Sequence, residues 1–261
     1  MSSSIYALPS FSLRFRPVWQ RNFLVWKKLL IASILGNIAD PLITLLAFGY
    51  GLGGLLKQIE GIPYINYLGS GSICMSIMMA ASFEALYSAF SRMHVQKSWD
   101  ALLNAPLALD DILLAEMLWA ASKALFSGLV ILVVLLFLGI GLNLHTVLVL
   151  PLLFIIGMTF ASMGLVINAL ARGYDFFTFY FTMVLTPMVF LSGVYYPVAQ
   201  LPEWLQLFSR ILPLGAAVSL IRPLILGAWP QTPLHDLALL LAYSIAGFYL
   251  ATLLTRRRLL K

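Results

Sequence analysis

The chain of 261 residues holds three histidines, at 94, 145 and 235, and a single cysteine, Cys74. No HExxH stretch, no paired Cys/His spacing and no nucleophile beside a base accompanies them, so the sequence carries no zinc signature and no covalent-catalysis signature. A GxxxxGK[ST] stretch is also missing, and without that glycine-rich cradle and its lysine the chain cannot hold ATP in a P-loop. Cys74 lies in an apolar run, where it suits a small buried filler and can form no intrachain disulfide. What remains is a set of isolated charges inside apolar runs: Asp40, Glu84 and Lys123. Such groups are costly in lipid, and they serve a transport path, a helix-packing contact or a snorkelling position. No catalytic residue, metal ligand or bound cofactor is expected.

The elements that would position these charges are membrane helices. Hydrophobic residues make up 61% of the chain and charged residues 10%, against about 45–50% and about 25% in an ordinary soluble domain. The composition predicts an all-α polytopic membrane protein. Six spans are expected, at about 29–56, 67–90, 113–140, 147–170, 176–195 and 237–254. The first apolar run begins near Leu29 and is too long for an h-region, so no cleavable signal peptide is expected. Ahead of it, residues 1–28 read as a tail and an interfacial helix. Phe11, Phe15, Trp19, Phe23 and Trp26 form an aromatic stripe beside the basic stripe of Arg14, Arg21 and Lys28.

Between the second and third spans lies a polar island running from Arg92 to Glu116. Within it Trp99, Leu102, Leu103 and Leu107 recur at helical steps, which predicts a short amphipathic helix set in water or in a partner's groove. Lys123 follows Glu116 by seven residues on roughly the same face; a salt bridge between them, a snorkelling lysine and a cavity-lining charge all fit that spacing. Thr178, Thr182 and Thr186 stand four apart in the fifth span, where local bonding to preceding carbonyls is the favoured reading and a polar seam the other.

From Ser192 to Pro233 six prolines, beginning at Pro197, cut a semi-apolar segment into pieces too short to span. Two short helices, within about 201–226, are expected to form an outer re-entrant hairpin with Tyr195, Tyr196 and Trp204 at headgroup depth. Arg210 shares a helix face with Glu203 there. The basic residues give the orientation. Arg14, Arg16, Arg21, Lys27, Lys28, Arg92, Lys97, Arg172, Arg256, Arg257, Arg258 and Lys261 fall on one side, against only Lys57, Arg210 and Arg222 on the other. That bias predicts both termini inside, and it puts His94 on the opposite side from His145 and His235, excluding one three-histidine metal site.

At this point an ion-coupled secondary transporter and a non-transport membrane scaffold stand beside an ATP-driven permease. The stretches SWDALLNAPLALDDILLAE and FLSGVYYPVAQLPEWLQLFSRILPL, followed by IRPLILG, decide among them. They resemble the membrane subunit of the type-2 ABC exporters, and within these the nodulation-protein J group and related drug-efflux permeases. The resemblance covers nearly the whole chain. It implies a six-span permease (residues 29–261) that pairs with a second copy and with two copies of a cytoplasmic ABC ATPase, which uses the ATP and Mg. It implies a coupling helix at about 94–107, with Arg92, Trp99, Asp100, Leu102 and Leu103 as the contact to the ATPase. It further implies a bacterial inner-membrane location and an amphiphilic, lipid-linked or oligosaccharide substrate moved outward. The pathway candidates are Asp40, Glu84, Lys123, Thr178 and Thr182, and Tyr195, Tyr196, Trp204 and Arg210 form the outer gate region. Membrane lipids are partners, and no nucleic acid is expected.

Overall fold

The computed structural model describes residues 7–10, 12–56, 58, 59 and 61–259, with the backbone alone at 31, 32, 34, 35, 37, 38, 40 and 41. In hydrocarbon every backbone N–H and C=O must be met within the protein, so the apolar runs fold as helices. The first are α1 (Phe15–Lys27), α2 (Leu30–Gly51) and the short α3 (Gly53–Leu56). A minimal antiparallel pair, β1 (Gln58–Ile59) and β2 (Ile62–Pro63), then turns the chain into α4 (Tyr64–Phe83). The axis of α4 continues through π-turns at Glu84–Ser88 and Ser91–Val95, and α5 (Ser98–Leu103) follows as a separate short helix. Next come α6 (Leu109–Phe137), α7 (Val149–Leu170) and α8 (Asp175–Tyr180), with α8 joined through a third π-turn to α9 (Thr186–Leu191). The chain closes with α10 (Glu203–Ile211), α11 (Pro213–Ile225) and α12 (Pro233–Leu259).

Among the described residues four helical segments are long and apolar enough to cross a membrane: Tyr64–Val95, Leu109–Phe137, Leu144–Leu170 and Pro233–Leu259. Helices α10 and α11 meet the criterion only as a pair, bent by 85° at the break, which makes five if the pair is one span. Six spans were expected from hydropathy. The other two expected spans are represented among the described residues by the apolar segments Leu42–Leu56, part of a helical stretch that begins with α2 at Leu30, and Asp175–Leu191, which contains the π-turn at Phe181–Leu185.

The bundle is built on α7, which packs against α6, α12 and α4, while α1 lies along α6, α2 along α4, and α11 between α4 and α12. Lipid chains are as apolar as leucine, so burial of apolar side chains does not by itself drive these helices together; close backbone approach and interhelical hydrogen bonds do. At Gly157 an added Cβ would lie 3.0 Å from the Ala121 carbonyl oxygen and 3.1 Å from its Cα, and at Gly247 it would meet Ser162 Oγ at 2.6 Å. Thr159 donates to the Leu240 carbonyl at 3.0 Å, and the Ser76 and Ser127 hydroxyls share a hydrogen bond of 2.8 Å. Asn168 on α7 donates to the Ala85 carbonyl at 2.8 Å, within the first π-turn of the α4 axis.

One end of the bundle is closed by a clasp. Arg256, near the end of α12, donates to both oxygens of Asp110 at the start of α6, at 3.0 and 2.5 Å. Asp110 also receives the Ser10 amide at 2.8 Å, Ser12 donates to Asp111 at 2.7 Å, and Arg14 donates to the Pro106 carbonyl at 2.9 Å. Residues 7–10 and 12–14, the start of α6 and the last turns of α12 therefore share one end of the molecule.

The α6–α7 approach supplies a test. Gly157→Val has to separate two main chains and is expected to cost about 1–3 kcal/mol by overpacking, whereas the same change at Gly54, which has nothing within 4 Å of the added Cβ, is expected to be close to neutral. Thermal unfolding of both variants in detergent, followed by tryptophan fluorescence, should show a lowered midpoint for Gly157→Val alone. Equal midpoints would mean that α6 and α7 do not meet at Gly157.

Candidate functional site

Beside the clasp, between α4 and α6, two carboxylates and two cations converge. Arg92 Nη2 lies 2.9 Å from Glu84 Oε1 and 2.5 Å from Glu116 Oε2, and Arg92 Nε lies 3.0 Å from Glu116 Oε1. Lys123 Nζ reaches Glu84 Oε2 at 2.8 Å. Neutral donors complete the shell. The Trp119 indole donates to Glu84 at 2.8 Å, the Trp99 indole to Glu116 at 3.3 Å and the Asn22 amide to Glu116 at 3.4 Å. Both carboxylates are buried. The formal charges cancel, as burial in a low-dielectric site requires.

Local geometry explains how the sequence builds this cluster. On α6, Glu116, Trp119 and Lys123 stand at i, i+3 and i+7, one helical face. On the α4 axis, Glu84 and Arg92 are eight apart, which in an unbroken α-helix turns them about 80° away from each other. Both residues lie in π-turns, and one extra residue absorbed by a π-turn reduces that angle to about 20°. The reversal into α5 is then made at Lys97, which takes the left-handed conformation at φ 50°. For a residue with a Cβ this costs about 1 kcal/mol or more. Ser98 Oγ donates to the Arg92 carbonyl at 2.9 Å and ties the turn to the cluster.

The apolar side of α5 faces inward. Trp99 is 1% exposed, and Leu102 and Leu103 pack half-buried on the core, so in this structure they hold the helix to its own bundle and leave Lys97, Asp100 and Ala101 exposed. The aromatic stripe of α1 is likewise turned onto protein: Trp19, Phe23 and Trp26 surround Trp119 at centroid distances of 6.1, 6.3 and 5.8 Å. Phe11 lies outside the described residues.

The other sequence candidates separate into distinct places. Arg92, Glu84, Lys123 and Trp99 are brought together, whereas Asp100 stays on the surface of α5. Lys123 pairs with Glu84, and its sequence neighbour Glu116 is taken by Arg92. The Asp40 side chain lies outside those described. Thr178 and Thr182 are exposed; the Thr182 hydroxyl donates to the Thr178 carbonyl and that of Thr186 to the Phe181 carbonyl at 3.0 Å, the local backbone bonding expected of them.

At the opposite end of the bundle Tyr195 and Tyr196 line an aromatic groove, Arg210 borders a neighbouring polar cavity, and Trp204 is exposed on α10. Here the sequence reading missed Arg222. Its guanidinium carbon sits 3.6 Å over the Tyr67 ring, Nη2 donates to the Gly193 carbonyl at 2.7 Å, and Nε donates to Ser70 at 3.0 Å. Asp236 was missed as well; it accepts from Ser219 at 2.6 Å and from Thr232 at 3.0 Å. A lone arginine in the apolar α11 was the available signal. Among the described residues no three His, Cys, Asp or Glu side chains form a group that could hold a metal.

Residues 14–226 match the ABC-2 type transporter family. Nodulation protein J of Rhizobium leguminosarum bv. trifolii is 45% identical over 258 residues, which cover 99% of this chain and 98% of that protein. Nodulation protein J of Rhizobium meliloti (strain 1021) is 43% identical over 257 residues, 98% of each chain. The inner membrane transport permease YadH of Escherichia coli (strain K12) is 25% identical over 236 residues, 90% of this chain and 91% of that one. In this family the membrane component is not catalytic, and ATP is hydrolysed by a separate subunit. The chain therefore belongs to the ABC-2 type transporter family, as a multi-pass inner-membrane permease closely related to nodulation protein J.

Proposed function

We propose that this permease works as a pair with two copies of a cytoplasmic ABC ATPase and moves a lipid-linked oligosaccharide outward across the inner membrane. In this reading residues 1–28 lie at the interface and 29–261 form the transmembrane domain. The apolar segments around α2–α3 and α8–α9 complete six spans, both termini are cytoplasmic, and α10–α11 is an outer re-entrant hairpin. The observation that carries the reading is the anchoring of α5. A short helix whose outer face is open and whose inner face reaches, through the Trp99 indole, a balanced ion cluster between α4 and α6 is built to pass a push from a partner into the bundle. The nodulation proteins among the relatives support the substrate class. Support for the orientation comes from the clasp, which gathers residues 7–10 and 12–14, the α6 start and the basic end of α12 at the α5 end.

Contact and transmission are thereby divided between two sets of residues, and they can be tested apart. Trp99→Phe keeps the ring but removes the donor to a buried carboxylate, an interaction worth about 1.5–3 kcal/mol. It is expected to leave ATPase binding unchanged and to lower export coupled to ATP hydrolysis in proteoliposomes. Asp100→Lys, on the exposed face, is expected to weaken ATPase binding instead. A loss of binding in Trp99→Phe with none in Asp100→Lys would reverse the assignment.

Charge balance in the cluster gives a second outcome. Lys123→Met leaves Glu84 and Glu116 sharing Arg92 alone, and breaking a buried pair from one side costs about 3–5 kcal/mol. Adding Glu84→Gln restores neutrality and should recover much of that loss. Unfolding midpoints of the two single variants and the double variant read the coupling directly; additive effects would show that the pair does not interact.

Orientation is checked with single cysteines in a Cys74→Ser background. A cysteine replacing Gln96 should react with an impermeant maleimide only from the cytoplasmic side, and cysteines replacing Gln200 or Gln231 only from the outside. Reaction of the last two from opposite sides would mean that α10–α11 crosses the membrane.

A further inference from the structure

At the end of the bundle opposite the clasp, one side chain joins three parts of the fold. Between α9 and α10 the main chain runs irregularly, with a single 3-10 turn at Val198–Gln200, and Gly193 turns it at φ 74°. The Gly193 carbonyl accepts from Arg222 Nη2 of α11 at 2.7 Å and from the Tyr67 hydroxyl of α4 at 3.0 Å. The same guanidinium donates through Nε to Ser70 at 3.0 Å and through Nη2 to the Tyr67 carbonyl at 3.3 Å, and its carbon lies 3.6 Å over the Tyr67 ring. Gly71 makes room for the contact, since a Cβ there would lie 2.8 Å from the Val194 carbonyl oxygen and 3.2 Å from Arg222 Nη2. We propose that Arg222 is a positioning residue for transport, a latch that holds the 192–194 reversal against α4 in the resting permease and releases it during each ATP-driven cycle. The inference rests on the export reading above and goes beyond it in naming the contact that must part.

Three observations favour a contact that parts over one that stays packed. The Gly193 carbonyl lies outside any helical ladder, so its bonds come from side chains of α11 and α4, and giving them up unwinds no helix. The guanidinium, Tyr67, Ser192 and Gly193 all line one cavity of about 820 Å³, which has room for water. As donors and carbonyl separate, water takes over both, and neither is stranded unpaired. The closed form also carries a cost of its own. Ser192 is 2% exposed, and its hydroxyl meets no hydrogen-bond partner among the described residues. A buried hydroxyl left unmade is unfavourable, and release of the reversal brings it to the water of the cavity. Bonds from a charged donor hold the reversal shut while the unmet hydroxyl opposes them, and opposed terms of this kind keep two conformations close in free energy.

The test uses the full-length permease with its ATPase in nanodiscs and follows the reaction of Ser192→Cys, in a Cys74→Ser background, with a charged maleimide. A buried thiol reacts from the open form, so its rate reads the open fraction. The reaction is expected to be slow without nucleotide and about tenfold faster during ATP turnover, the shift that follows from giving up one charge-assisted hydrogen bond. Arg222→Met removes the donors, and Gly71→Ala wedges Val194 away from α4 with Arg222 left in place. Each should give the fast rate without nucleotide, with the permease–ATPase complex still formed. Nucleotide dependence in the chain with Arg222 and Gly71 intact separates a moving latch from a static brace, and it decides the matter even where a variant fails to fold. A rate unchanged by ATP turnover, whether slow or fast, would overturn the proposal, as would protection of Ser192→Cys in both latch variants. Export of lipid-linked oligosaccharide by a complex whose Ser192→Cys stays protected throughout also overturns it and leaves the export reading standing. The expected ATP dependence in a complex that exports no such compound upholds the latch and removes the export reading.

Discussion

Arg92 holds together the part of the molecule on which the rest depends. One guanidinium spans a carboxylate on its own helical axis and another on α6, with Lys123 and three neutral donors satisfying the remaining oxygens. Isolated, any one of these four charges would be expelled from an apolar bundle; as a neutral, fully bonded set they are tolerated, and they fix the α4–α6 register far more narrowly than leucine contacts would. The energetic asymmetry is large: such a network is sound when complete and costly when one member is lost, and the Trp99 indole ties α5 to it through Glu116.

The π-turns make that set available. They rephase the α4 axis so that Glu84 and Arg92 look the same way, and they leave it irregular beside Asn168, whose amide binds the Ala85 carbonyl from α7. The same irregularity ends the span near the reversal at Lys97, where a positive φ and the Ser98–Arg92 hydrogen bond set the direction of α5. Helix phase, ion pairing and the direction of α5 are thus one local construction over residues 84–99, and strain at Lys97 is retained because the cluster behind it over-determines the turn.

Which of these features could be read in the sequence depends on whether they follow a period. Composition and apolar runs gave the class, and the i, i+3, i+7 face of α6 and the amphipathic step of α5 follow the helical repeat. The pairing did not: seven-residue spacing left a Glu116–Lys123 salt bridge as one of three readings, while the partners come from another helix, phased by π-turns that no periodicity announces. Trp99, read as the knob for a partner, is interior for a related reason: an amphipathic pattern says that one face is apolar and leaves open whether that face meets another chain or its own bundle. The aromatic stripe of α1 shows the same ambiguity, closing on Trp119. Arg222 and Asp236 were passed over because their partners are carbonyls and hydroxyls contributed by chain reversals, which carry no spacing rule.

The two ends of the bundle share a logic that follows from placing charge in a membrane protein. At the α5 end the charges pair with one another, so that moving one helix changes an electrostatic balance. At the far end Arg222 and Asp236 are met mainly by main-chain carbonyls and hydroxyls, which stabilise each charge without cancelling it, and Arg210 lines the same cavity. Helices α4 and α7 run between them, α4 carrying Tyr67 and Ser70 at the far end and leading into Glu84 and Arg92 at the near one. The ion cluster and the Arg222 contacts are thus carried by one helical axis, held closely against its neighbours along its glycines and serines.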